Sequence, residues 1–306
     1  MATQVTSAFN LYGAPGSDYA KLQSTWLGRY LLVEDKGMSV INGILMDAAQ
    51  DAFTEIKSLE GRDNIGSIAK MSQRASVMTI VREINHASFR SIGSAIRDSQ
   101  QDSAQAAVDA IAETELRFTK MVFDNVSDRE SWYESQRHQA ARGVANVISR
   151  YLGASVPLSR RVYRSESLAN GYVERIVNSA IVNGSSAQEI AKRVREHNNP
   201  ATPGGVSYAA KRLGRTELNN AFHATTIHLI QDRPWIDSAQ WNLSKRHDEI
   251  TGCKCEEYAR QRLFPVTQIP RKPHPQCRCF TTPNLVDDET FQTNLAIGMY
   301  DGYVDA

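Results

Sequence analysis

Apolar residues recur at three- and four-residue steps through most of the first half of this 306-residue chain, the period of an amphipathic helix. The first run is Ile41, Ile44, Leu45, Ala48, Ala49, Ala52, Phe53 and Ile56, with Ser39 as its expected cap. A second carries Ile65, Ile68, Val77, Ile80, Val81, Ile84, Phe89 and Ile92. A third, rich in alanine, includes Ala104, Ala107, Val108, Ile111 and Leu116, and a fourth spans roughly 131–152 with Trp132, Tyr133, Val144 and Val147. No proline falls between Pro15 and Pro157. Proline removes a helix donor and clashes with the preceding turn, so its absence fits a helical bundle over 37–156. There is no sustained a/d heptad, which argues against a long coiled coil. Residues 1–36, broken by Gly13, Pro15 and Gly16, read as an amino-terminal arm.

Pro157 marks a boundary. After it, Leu168, Tyr172, Val173, Ile176, Val177, Ala180 and Ile181 share a helical face that ends at Asn183-Gly184. Ser186 and Glu189 make a capping box for the next helix, whose inner face is Ile190, Ala191 and Val194 and which stops at Asn199-Pro200. The pair has the outline of a DNA-reading helix-turn-helix, but a plain antiparallel hairpin is the expected arrangement. A Pro/Gly loop leads to a helix over 209–231. From Pro234 onward, β-prone pieces such as 238–243 alternate with turns. The last stretch, 284–306, is acidic and reads as a tail.

The four cysteines fall at 253, 255, 277 and 279, with His274 between the pairs and His247 nearby. Clustered thiols at such spacing suit a tetrahedral zinc site built from paired ligands. They also suit a local disulfide staple, and four free thiols beside a Pro-rich turn are a third reading. A structural zinc held by Cys253, Cys255, His274, Cys277 and Cys279, or disulfides among the same cysteines, is the cofactor expectation. A catalytic metal is disfavoured, since no His-Glu-x-x-His run supplies a base. The fold class is therefore mainly α: an amino-terminal helical bundle and a small α+β carboxy-terminal domain closed by a Cys/His cluster.

Other chemistry is sparse. The chain has no phosphate-binding Gly-x-x-x-x-Gly-Lys-Ser/Thr loop and no Gly-x-Ser-x-Gly elbow. Arg215 and Glu217 are expected to form a structural ion pair. No apolar run is long enough to span a bilayer, and the amino-terminus lacks the basic and apolar regions of a secretory signal. These features predict a protein made in a cytoplasm. Net charge is only +1, but residues 157–282 hold 19 Lys and Arg against 11 Asp and Glu. That excess suits a surface meeting phosphate, or simply a solvated basic face.

One stretch carries a resemblance. Asn199-Pro200, Pro203 to Ala210, Arg212-Leu213 and Arg215 to His223, then Trp241 to Ser244, His247-Asp248 and Pro273-His274-Pro275-Gln276-Cys277-Arg278-Cys279, are similar to the carboxy-terminal half of phage Mu F-like minor head proteins. It covers roughly 157–283, and the closing motif is its most specific part. The first cysteine pair is Cys-x-Cys, narrower than in many relatives. The resemblance implies a non-enzymatic minor capsid protein, made in a host cytoplasm and carried in the virion, in the head interior or at the portal vertex. It implies the portal protein, the major capsid protein and non-specifically bound double-stranded DNA as partners, with no membrane and no small-molecule substrate. The DNA-contacting candidates are Arg160, Arg161, Arg164, Lys192, Arg193, Arg195, Lys211, Arg212, Lys245, Arg246, Arg271 and Lys272. Two alternatives compete with this reading. One is a metal-dependent nuclease or transferase acting through Arg215, Glu217 and the Cys/His cluster. The other is a cellular DNA-binding regulator using the 172–196 helix pair. The expected domains are 1–36, 37–156, 157–283 and 284–306.

Overall fold

Helix periodicity dominates the sequence, and helices dominate the computed structural model, which describes residues 18–59, 67–123, 126–153, 158–183, 185–200, 206–244 and 253–304. In chain order α1 is Asp18–Lys57, α2 Ser67–Val122, α3 Val126–Gly153, α4 Leu158–Val182, α5 Ala187–Asn198 and α6 Val206–Gln231. A small sheet follows: β1 (Ile236–Asn242), α7 (Lys254–Gln261), β2 (Leu263–Pro265) and β3 (Phe280–Leu285), and then α8 (Asp288–Ala296) and α9 (Asp301–Val304).

Three features differ from the sequence expectation. Residues 18–36, expected in an arm, form the first part of α1, and Ser39 lies inside that helix rather than capping it. The stripe that holds this segment is aromatic, with Trp26 and Tyr30 buried four residues apart. The second and third apolar runs are one 56-residue helix, α2. The polar stretch between them contains no proline, and Ser99, Gln100 and Ser103 within it are buried. The residues expected as an acidic tail contain the end of β3, α8 and α9, with Phe291 and Tyr300 buried.

The chain divides into two compact units, each assembled from separated stretches. The middle unit takes 35–99 and 154–217; the terminal unit takes the chain up to 34, 100–153 and 218–306. The division cuts the chain after Glu34 within α1, after Ser99 within α2, after Gly153 and after Glu217 within α6.

In the middle unit, α4 and α5 form an antiparallel hairpin. Its turn is set by the expected capping box: Ser186 accepts from the Glu189 backbone N–H while the Glu189 carboxylate accepts from the Ser186 N–H. Val173, Val177 and Ala180 meet Ile190, Ala191 and Val194, and Ala52, Ile56, Val77 and Val81 complete the cluster. Leu168 and Tyr172, expected on the inner face, are exposed. The buried line is Val162, Ala169, Val173, Val177 and Ala180, which keeps the 3–4 spacing one step round the helix. Gly214 of α6 lies close to α1: a Cβ there would stand 2.5 Å from the Ile41 Cδ1 and 2.9 Å from the Met38 Cε.

In the terminal unit, Trp26, Val108, Ile111, Val144, Leu229, Ile230, Trp235, Phe291 and Tyr300 share one core. Trp235 is its centre, with Phe291, Tyr300 and Tyr303 edge-on to its ring. Glu115 and Arg233 are both buried and paired at 2.8 Å, and the Trp235 indole N–H also donates to Glu115. Burial raises the pKa of this carboxyl, against the lowering effect of Arg233 and the hydrogen bonds. The described sheet is antiparallel in the order β2-β1-β3. Ala239 pairs with Phe264 on one side and Pro283 on the other. Pro265 and Pro283 thus lie in the two outer strands, where a missing N–H costs no ladder bond. No helix among the described residues is long and apolar enough to cross a membrane.

Candidate metal centre

The small sheet positions the cysteines. Cys253 is the N-cap of α7, in extended conformation, and its Sγ accepts from the Cys255 backbone N–H at 3.4 Å. Cys255, one helical position inside, is fully buried. The second pair arrives on a proline-punctuated segment, Pro270 to Pro275, which turns at Gln276 with a positive φ of 59°. Cys277 and Cys279 then alternate along the strand-like lead into β3, so both side chains point to one side. Trp241 of β1, Phe264 of β2 and Tyr258 of α7 wall the cluster.

The donor atoms converge in two overlapping triads. Cys253, Cys255 and His274 have their ligand atoms within 4.8 Å of one another, as do Cys255, Cys277 and Cys279. The Cys255 Sγ stands 3.4 Å from the Cys277 Sγ and 3.5 Å from the His274 Nε2. Tetrahedral ligands at a Zn–S distance of about 2.3 Å stand about 3.8 Å apart, so the array needs little movement to close on one ion. The four thiols are free cysteines, and a 3.4 Å contact is a non-bonded one. The expected ligands Cys253, Cys255, His274, Cys277 and Cys279 are therefore brought together. His247 lies outside the described residues.

Electrostatics favour the thiolate at Cys277, whereas Cys255 and Cys279 are pushed up. Hydrogen bonds from Cys255 and Cys279, followed by the Lys272 charge, lower the pKa of Cys277. Cys255 moves up, because its proton is shared with Cys277 and Cys279 and because it is buried. The Lys272 Nζ donates to the Cys279 carbonyl and stands 5.9 Å from the centre of the Trp241 ring. His223 also lies edge-on to Trp241, at 5.6 Å, and its Nε2–H donates to the Pro270 carbonyl at 2.9 Å. Burial, reinforced by Lys272, lowers the His223 pKa to about 3 and keeps its ring neutral.

The remaining sequence candidates separate. Glu217 is fully buried and ion-paired with Arg161 of α4, not with Arg215 as expected. Arg215 is two residues earlier on the same helix, where side chains do not share a face. Burial raises the Glu217 pKa, and Arg161 opposes the rise. Arg161 is thereby drawn away from a phosphate role, and three other DNA candidates are similarly engaged. Arg195 stacks its guanidinium on Phe53 at 4.3 Å, Lys211 donates to the Pro200 carbonyl at 2.6 Å, and Lys272 serves the cysteine cluster. Arg160, Arg164, Lys192, Arg193 and Arg212 are exposed in the middle unit, and Arg271 is exposed in the terminal unit. Lys245 and Arg246 fall outside the described residues.

Sequence reasoning missed His223 and Trp241 as parts of this site and read Lys272 only as a DNA contact. His223 and Trp241 carried a signal, by lying inside the motif blocks. The chain matches no family model, no curated protein and no solved structure.

Proposed function

We propose that this chain is a non-enzymatic minor capsid protein of a tailed phage, a head-morphogenesis component associated with the portal and the packaged double-stranded DNA. The observation that supports it best is the fate of the closing motif. His274-Pro275-Gln276-Cys277-Arg278-Cys279 closes a Cys/His cluster in which Cys255, Cys277 and Cys279 are buried and packed against Trp241 and Phe264, which suits a structural part. The enzyme alternative needs a carboxylate open to substrate, whereas Glu217 is buried against Arg161.

DNA contact falls to Arg160, Arg164, Lys192, Arg193 and Arg212, all exposed. Phosphate contacts release counterions, with the salt slope falling by about 0.9 per contact. Alanine at these five positions should weaken binding to duplexes of unrelated sequence alike and flatten the salt dependence. In infected cells the native protein should sediment with heads. An unchanged salt slope removes this DNA surface, and absence from purified heads removes the capsid reading.

We further propose that the cluster holds one structural zinc, with Cys255, Cys277 and Cys279 as the buried core of the ligand set and His274 as the fourth donor. Cys253 remains the α7 cap. A bound zinc supplies folding free energy and keeps the thiols ionised. Protein purified anaerobically should carry about one zinc per chain, the stoichiometry of a closed tetrahedral site, and thiols slow to react until a chelator is added. Metal-free protein with four promptly reactive thiols would end the zinc assignment.

A further inference from the structure

Arg278 stands between two cluster cysteines but faces away from them. Cys277 and Cys279 are both buried with their sulfurs beside Cys255. In an extended backbone the residue between two such side chains points to the opposite side. There Arg278 meets Glu34 of α1 through a two-pronged contact: its Nη2 lies 2.6 Å and its Nε 3.1 Å from the Glu34 Oε1. The other oxygen, Oε2, accepts from the Tyr30 hydroxyl at 2.7 Å. Glu34 has no exposed surface, and it is the last residue that α1 contributes to the terminal unit.

A carboxylate so deeply buried is tolerated only while its partner is in place. We propose that Arg278 makes the Cys/His cluster a latch on the amino-terminal part of α1, so that the metal or redox state of the cysteines decides whether residues 26–34 stay docked. Closing the cluster orients Cys277 and Cys279, and this aims the guanidinium between them at Glu34. Opening the cluster withdraws the guanidinium. Glu34 must then reach water, and the Trp26 and Tyr30 stripe leaves its place with it. The latch rests on the zinc reading only for what normally closes the cluster; the coupling itself belongs to Arg278 and Glu34.

Hydrogen exchange on the full chain tests it, with zinc content measured on the same samples. Stripping the metal from wild-type protein with a chelator should speed exchange at amides 26–34 by about tenfold or more, the scale of a coupling of 1–3 kcal/mol. Amides of α4 and α5 should be unaffected. Arg278→Met should exchange fast at 26–34 with zinc still bound, and stripping should add little. Glu34→Gln should behave the same way, and Arg278→Lys, which keeps the charge but loses the fork, should fall between. If stripped wild-type protein keeps its protection at 26–34, or Arg278→Met responds to stripping as wild type does, there is no latch. If the protein carries no zinc, the metal reading alone has failed. The same comparison is then made after oxidising the thiols with diamide: faster exchange at 26–34 supports the latch, and no change overturns it.

Discussion

A single buried carboxylate shows how far position outweighs identity. Glu217 looked like one half of a local pair with Arg215, because the two are close in sequence. The helix puts them on different faces, and the charge that meets Glu217 comes from Arg161, 56 residues away. Burial raises the Glu217 pKa above 4.5, so the folded state holds the proton more tightly than the unfolded chain. Stability therefore falls as pH rises from 4.5 through the folded pKa. Arg161 limits that fall. Arg161→Met should cost about 3–5 kcal/mol at neutral pH, the cost of leaving a buried charge unpaired, and should recover part of it towards pH 5. Arg161→Met combined with Glu217→Gln should be more stable than Arg161→Met alone and should lose this part of the pH dependence. Urea titrations at two pH values decide it; equal stability of the single and double variants would mean that the pair is not coupled.

Among the elements, those set by local chemistry were legible. The Ser186 and Glu189 capping box needs only neighbours, and it sits where the spacing put it. The stop at Asn199, the strand around Trp241 and the gathering of Cys253, Cys255, His274, Cys277 and Cys279 were equally readable, because short-range constraints dictate them. What was not legible depends on partners far along the chain. Residues 18–36 gave no clear period of their own; their helix is completed by burial of Trp26 and Tyr30 in the terminal unit. The polar middle of α2 split one helix into two apolar runs, because buried Ser99, Gln100 and Ser103 read as surface residues in sequence. Leu168 and Tyr172 belonged to a plausible apolar face, but the hairpin uses the line one step round. The role of Arg278 was hidden for the same reason, since its partner Glu34 precedes it by 244 residues.

At the scale of the molecule, the cuts suggested by the sequence do not separate self-sufficient pieces. A fragment of 157–283 would include α4, α5, α6 and the sheet but lose Ala52, Ile56, Val77 and Val81 from one core. From the other it would lose Trp26, Ile111, Phe291 and Tyr300. It should show neither cooperative thermal unfolding nor dispersed amide resonances, while the full chain shows both. A well-folded 157–283 fragment would contradict the two-unit division.

That division also carries an order in time. A ribosome delivers the chain from the amino-terminus, and domains tend to fold as they emerge. Every stretch of the middle unit has been made once Glu217 leaves the exit tunnel, so this unit can close while synthesis continues. The terminal unit cannot, because its first stretch ends at Glu34 while its last begins only at Leu218 and includes the sheet, α8 and α9. Residues 26–34 of α1 therefore wait for partners made long after them, with Trp26 and Tyr30 open to chaperones and to neighbouring chains until the cysteine segment and α9 arrive.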